Sequence, residues 1–466
     1  MKDRVLGTLQ DLRAYALERG IEATFLYHEE DSYLMRFANS AISLNTNEHL
    51  IRLEITAHQD RQRASYGLIT ALENMEEMKR GVDIAAEMVE HAQPLSYQPT
   101  VPVYSESFSD ESAYDPELAS LGNEERLAFF NQAVEGLETD EIQLSGIFSC
   151  GANTLAQINT RSEHTQYFKT SDGQINTVLS HNILKWEVIA EQSAQQKADL
   201  NPEELRRDLA FLVEHYQHDT PQQLPLGSYD IILGPTATAD LLSMMGYIGY
   251  NGGLMKRGYS FLKEEQVGQR VFSPKFTLTD DPTRIETFPF RRDLMGMVRR
   301  PFPIFVDGVF QSFIWSQDEA DEFDAEPTGH TVPHTSMVMA SGDGHPQDEG
   351  VSTLQELVAM PRESDVLYIP FLHYLNIVNP SKGLVTASSR FGALLLKKDG
   401  SVVVPYNVRL TQSLLDVFGD RLAWVSQDQV VANVSASYGA RNPRAIIVPA
   451  LMQVDGLEIS HSNSSY

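Results

Sequence analysis

Apolar and polar residues alternate in two rhythms along the N-terminal part of the chain. Over residues 3–19, Val5, Leu9, Leu12 and Ala16 recur on one helical stripe, and Gly20 is placed to end the helix. Segments 23–27 and 32–37 then read as strands. Leu50 to His58 alternates, with Ile51, Leu53, Ile55 and Ala57 on one face. Helices are predicted over 70–80 and 82–92, separated by Gly81. Residues 93–116, rich in Pro, Ser, Tyr and acids, read as an extended loop. The succession then repeats, with a helix over 123–137 and strands at 142–149, 154–159, 165–171 and 175–179.

Asn201-Pro202-Glu203-Glu204 opens the next helix with a capping Asn, a first-turn Pro and a Glu that reaches back. Leu205, Leu209, Leu212 and Tyr216 form its apolar stripe. The polar segment from His218 to Leu224, followed by Pro225, is the expected domain boundary. Beyond it the pattern is mostly strand. Asp307-Gly308 and Lys398-Asp399-Gly400 each sit between two apolar runs, the signature of a hairpin. The expectation is an α+β protein. An N-terminal α+β domain with antiparallel sheets covers 1–220, divisible into units at about 1–95 and 117–220. A β-rich C-terminal domain covers 225–466.

Composition narrows the function. The 466 residues carry 64 acidic and 36 basic side chains, a formal charge of −28, and the basic runs Arg291-Arg292 and Arg299-Arg300 are too short to make a patch. Such a surface repels phosphate backbones, so no nucleic acid is expected as a partner. The lone Cys150 excludes an internal disulfide and any multi-cysteine metal site. No apolar run approaches the roughly 20 residues needed to span a bilayer. The N-terminus has acids and no apolar core of a signal peptide, so a cytoplasmic protein without membrane contact is expected.

The stretch Tyr229–Pro282 carries the most ordered series of signals. Ile231-Ile232-Leu233 ends at Gly234-Pro235, and a helix follows with Ala239, Leu242, Met245 and Ile248 on one side. Asn251-Gly252-Gly253, then Lys256-Arg257-Gly258-Tyr259-Ser260-Phe261-Leu262, then Ser273 to Pro282 complete it. This order resembles the central part of the TldD/PmbA family, once called modulators of DNA gyrase and now regarded as metallopeptidases. In the TldD branch this helix carries a zinc motif, HExxxH, with a distant Cys as a further ligand. Here the helix has neither His nor Glu, its only carboxylate is Asp240, and Val425–Val431 supplies no Cys. The resemblance therefore implies the PmbA/TldE branch, with no catalytic residue and no zinc in this chain. It also implies a TldD-like zinc-bearing partner in a heterodimer, or a homodimer, and an unfolded peptide as substrate. Arg257, Ser260 and Phe261 are the expected peptide-binding residues.

Other chemistry-bearing positions have plainer readings. His330 and His334 could clip a metal, but Pro333 between them breaks the one-face geometry of a helix, so loop histidines are expected. His215 and His218 near a helix end suit the C-terminal carbonyls. His28-Glu29-Glu30 starts like a zinc motif, but strand residues follow it. The glycines from Gly246 to Gly253 lack the Lys-Ser/Thr of a phosphate loop. Two alternatives stay open: a stand-alone peptide-binding scaffold, and an active metallopeptidase using His330 and His334. The stretches 104–116 and 286–300 depart most from the family's pattern.

Overall fold

The computed structural model describes residues 1–217, 220–331, 335–435 and 441–463. The chain opens with α1 (Lys2–Glu18), β1 (Glu22–Ala38), β2 (Ala41–Gln59), β3 (Gln62–Thr70) and α2 (Met75–Glu90). Next come β4 (Phe108–Ala113), α3 (Pro116–Ala119), α4 (Asn123–Ala133), β5 (Ile142–Asn159), β6 (Ser162–His181), β7 (Glu187–Ala194) and α5 (Pro202–Tyr216). All seven strands share one sheet, in the order β3-β2-β1-β5-β6-β4, with β7 also paired to β6. Both N-terminal stretches thus meet through the β1–β5 pairing.

Six of the predicted short strands here are parts of three longer ones. β1 runs unbroken through His28-Glu29-Glu30-Asp31, the polar stretch that separates the two expected strands. These residues are paired on both sides, to β2 and to β5, and their side chains find polar partners. Gly151 in β5 and Gly173 in β6 likewise lie mid-strand. A Cβ on Gly151 would stand 1.9 Å from the Asp31 carbonyl, so glycine there allows close approach of two strands. Gly81 does not break a helix: α2 is continuous, and Gly81 faces the sheet 3.0 Å from Ile55 as measured from the Cβ it lacks. Residues 108–113, expected as loop, form β4 parallel to β6. Asn201 caps α5 as predicted, accepting the Glu204 N–H at 3.2 Å.

The C-terminal half begins with β8 (Gly227–Leu233), α6 (Pro235–Ile248), α7 (Gly252–Lys256) and β9 (Leu278–Asp280). Then follow β10 (Phe302–Val306), β11 (Val309–Phe310), α8 (Gln317–Phe323), β12 (Met337–Met339), α9 (Leu354–Ala359) and β13 (Val366–Ile369). The next group is β14 (Phe371–Asn379), β15 (Leu384–Arg390), β16 (Leu394–Leu396), β17 (Val402–Val403) and β18 (Asn407–Ser413). The last is α10 (Leu414–Val417), β19 (Leu422–Val425), β20 (Gln429–Asn433), β21 (Ala445–Pro449) and β22 (Met452–Asn463). A nine-stranded sheet runs β14-β15-β18-β22-β8-β13-β16-β17, with β19 on β22, and a six-stranded one runs β11-β10-β9-β12-β21-β20. The β10–β11 turn has Asp307 and Gly308 at φ 48° and 76°, the left-handed pair a tight hairpin needs. The architecture is α+β, with a β-rich C-terminal half.

Three large apolar cores hold these layers. One lies under α1 and α2, and one surrounds α6 in the C-terminal half. The third crosses between the halves: Leu205, Leu209 and Leu212 of α5 pack with Ile232, Tyr368 and Leu394 of the nine-stranded sheet. Burying apolar surface across the boundary joins the halves. An ion pair adds to this: Arg441, just before β21, reaches back to Asp172 of β6 with two bonds of 2.7 Å.

Candidate functional site

Helix α6 starts from Gly234 with Pro235 in its first turn, where a missing N–H costs nothing. Ala237, Leu241, Leu242, Met245 and Ile248 fill the core. Thr236, Asp240 and Ser243 are spaced by four and three residues and so share a different face. The Thr236 hydroxyl donates to the Glu191 carboxylate of β7. Burial pushes the Glu191 carboxyl up to about 7, with the Thr236 hydroxyl pulling the other way. Burial, and then the charge of Glu191, push Asp240 up to about 8. Two carboxyls that resist ionising near neutrality therefore lie along the start of α6. Further along, Ser243 Oγ accepts from Arg444 Nη2 at 3.2 Å, and Arg444 Nε has no partner among the described residues.

Beside this face is a cavity of about 570 Å³ between the two halves. Its walls include Glu191 and Gln192 of β7, Val430 and Val431 of β20, Thr236 and Tyr368. Glu191 keeps some access to this internal space while protein surrounds it on its other sides. Both flanking strands are edges: β7 pairs only with β6 and β20 only with β21 among the described residues. Asn433, at the end of β20, donates to Ser193 Oγ at 3.2 Å and links the two strands.

The residues singled out in the sequence sit elsewhere. Arg257 pairs with Glu322 and, at 3.6 Å, with Glu319 of α8, and it lies over the Phe323 ring. Ser260 is buried, donates to the Gly249 carbonyl at 2.6 Å and accepts the Leu262 N–H at 2.9 Å, which fixes a turn. Phe261 is a core residue packed toward Phe272. Ser260 and Phe261 thus lie in the packing beside α6 and α7, and Arg257 ties α7 to α8.

His330 is buried against Asp280, which also accepts from Arg299 at 2.8 and 2.9 Å and from the Ser336 N–H at 2.6 Å. Burial opposes ionisation of Asp280, but Arg299 and His330 outweigh it and hold its carboxyl below the usual range. His334 and His218 lie outside the described residues. His215 Nδ1 is bonded to the Phe211 carbonyl of its own helix at 2.8 Å. His28 Nε2 meets the Arg441 carbonyl at 3.1 Å. Among the described residues, no three His, Cys, Asp or Glu side chains cluster as metal ligands.

Sequence reasoning noted Asp240 but missed Glu191, Thr236 and Arg444. The spacing 236, 240, 243 on an otherwise apolar helix was a usable signal. Nothing local marks Glu191, which arrives from an edge strand of the N-terminal sheet.

A family profile described as the PmbA/TldA metallopeptidase C-terminal domain matches residues 226–461, just over half of the chain. The chain belongs to the TldD/PmbA family. A search of curated proteins returned no match. Among solved structures, TldE from Thermococcus kodakarensis is similar, with a TM-score of 0.79 and 16% identity over 97% of this chain and 100% of that one. A Thermotoga maritima protein whose name refers to modulation of a DNA gyrase superposes with a TM-score of 0.77 at 16% identity, covering 97% and 99% of the two chains. A Bacteroides thetaiotaomicron protein with the same kind of name gives 0.76 at 17%, over 97% and 98%. At these identities the likeness is one of fold. No helix among the described residues is long and apolar enough to cross a membrane.

The zinc that the TldD branch carries on this helix does not fit here. A dication needs imidazole, thiolate or ionised carboxylate ligands. The α6 face instead presents two hydroxyls, Thr236 and Ser243, and the single carboxyl of Asp240, with the Arg444 guanidinium bonded to Ser243. A fixed positive charge beside the helix repels the ion.

Proposed function

We propose that this chain is a PmbA/TldE-like, metal-free subunit of a TldD-type peptidase in the cytoplasm. It completes the chamber and positions an unfolded peptide, while a zinc-bearing partner, or a second copy in a homodimeric variant, completes the assembly. The observation that carries this reading is the pair of edge strands, β7 and β20, flanking the 570 Å³ cavity next to α6. An exposed strand edge offers unpaired N–H and C=O groups, which an extended chain can meet by adding as a further strand. These edges lie inside a cavity between the halves, which an extended chain can enter and a folded domain cannot, so an unfolded peptide is the substrate this reading expects.

The test is co-expression with a relative bearing HExxxH, followed by cleavage of an unstructured oligopeptide by each chain alone and by both. Cleavage only by the pair, with zinc only in the partner, is the expected outcome. Chelator-sensitive cleavage by this chain alone would overturn the reading.

A further inference from the structure

The 570 Å³ cavity between the halves is walled by more than strand edges. Five of its lining side chains are acidic: Glu191 of β7, Asp199, Glu204 and Asp208 around the start of α5, and Glu286 from the C-terminal half. Glu204 and Asp208 are four apart on α5 and so share a face. Arg207 is the one cation at these walls among the described residues, and it divides itself between Glu204 at 3.7 Å and Asp208 at 3.4 Å. Arg284, from outside the cavity, meets Glu286 at 3.2 Å. Asp199 accepts the N–H groups of Gln195 and Gln196 at 2.9 Å and meets no cation among the described residues. Carboxylates therefore outnumber cations here. A ligand can reach them, because the side chains of Glu204, Asp208 and Glu286 are 50%, 43% and 41% exposed.

A separate observation marks the same space as a place for a polar chain. Gln195, directly after β7, lines the cavity and is 8% exposed. Its backbone groups are already bonded, to Asp199 and to Ser171. Its side-chain amide has no partner among the described residues and is not sealed off from the cavity. A donor and an acceptor left open beside a strand edge suit a peptide unit. Given the peptide reading above, on which this rests, we propose that the cavity selects extended peptides carrying a lysine or arginine side chain. A cleft lined mostly by one sign of charge between low-dielectric walls concentrates the opposite sign. The apolar stem of the basic side chain packs on Phe211 and Leu354, which also line the cavity, and its head meets Glu204 and Asp208. An acidic side chain at the same place faces like charges and is rejected.

The probes are capped, unstructured peptides of about nine residues, uncharged except for a central Lys or Glu, titrated into the purified full chain by calorimetry at low salt. The Lys peptide is expected to bind about tenfold more tightly than the Glu peptide, and the gap should narrow as salt rises. Glu204→Gln with Asp208→Asn should bring the two affinities close together. Glu87→Gln with Glu90→Gln makes the same change of charge on exposed positions of α2, outside the cavity walls, and should leave the gap intact. That control separates local selection from the pull of the overall −28 charge. Unchanged melting temperatures show that both double variants keep the fold. Selection is overturned, and the peptide reading stands, if the Lys and Glu peptides bind equally. The same follows if the gap survives in the Glu204/Asp208 variant or closes as far in the α2 control. If neither peptide binds, the peptide reading of the cavity fails and the selection with it.

Discussion

Glu191 and Asp240 are the residues whose behaviour departs furthest from their type. Both carboxyl pKa values are raised by burial, to about 7 and about 8. The folded chain therefore holds protons that the unfolded chain has released above about pH 4. Their contribution to stability is fully present below that pH and is lost as pH rises through 7 and 8. Asp240→Asn with Glu191→Gln should flatten the fall in melting temperature between pH 5 and 8.5. An identical slope in the double variant would refute the assignment. Asp280 is the opposite case, an ionised carboxylate kept by Arg299 and His330. Arg299→Met leaves that charge buried with one strong partner fewer and should cost about 3–5 kcal/mol, read as a large drop in melting temperature. Arg441→Met should act in the same direction, because it strands Asp172 of the N-terminal sheet.

At the level of elements, the two helical glycines of the N-terminal region separate propensity from packing. Gly7 in α1 is exposed and has open space where a Cβ would go. Gly7→Ala should stabilise by about 0.5–1 kcal/mol, the ordinary helix gain. Gly81 in α2 rests on Ile55, Tyr66 and Leu68 of the sheet. Gly81→Val should destabilise by about 1–3 kcal/mol through overpacking. Thermal melts of the two variants side by side check this contrast. If both substitutions stabilise, α2 does not lie as close to the sheet as described. The breaks expected within β1 and β6 share one cause. The expected strands stop at 27 and 171 and resume at 32 and 175 because polar and glycine residues usually interrupt strands. Here they are the middles of strands whose polar side chains are satisfied from across the sheet, as in Arg52 with Glu30 at 2.7 Å.

For the whole molecule, function turns on how the halves meet. The third core and the Arg441–Asp172 pair place the edge of β7 beside the edge of β20. If an extended peptide adds there, its backbone takes the free N–H and C=O groups of those strands. Amide hydrogen exchange in 187–194 and 429–433 should then slow in the peptide-bound assembly. Exchange unchanged in both segments would move the peptide elsewhere. The Thr236–Glu191 bond crosses the same junction. Peptide affinity should therefore respond to Glu191→Gln, and affinity measured by fluorescence anisotropy against pH reads that out.

The sequence by itself determined what depends on neighbours along the chain: the stripes of α1 and α5, the cap at Asn201, the Asp307-Gly308 hairpin and the α+β class. It also contained the order of motifs from Ile231 to Pro282 that carries the family, and the absence of imidazole and Glu on α6. Tertiary structure decided what depends on residues far apart. It buried Ser260 and Phe261 beside α6, hid His330 against Asp280, and set Glu191 beside Asp240, which stands 49 positions along the chain. A carboxyl's ionisation is governed by the atoms that replace water around it, and most of those atoms come from other elements of the fold.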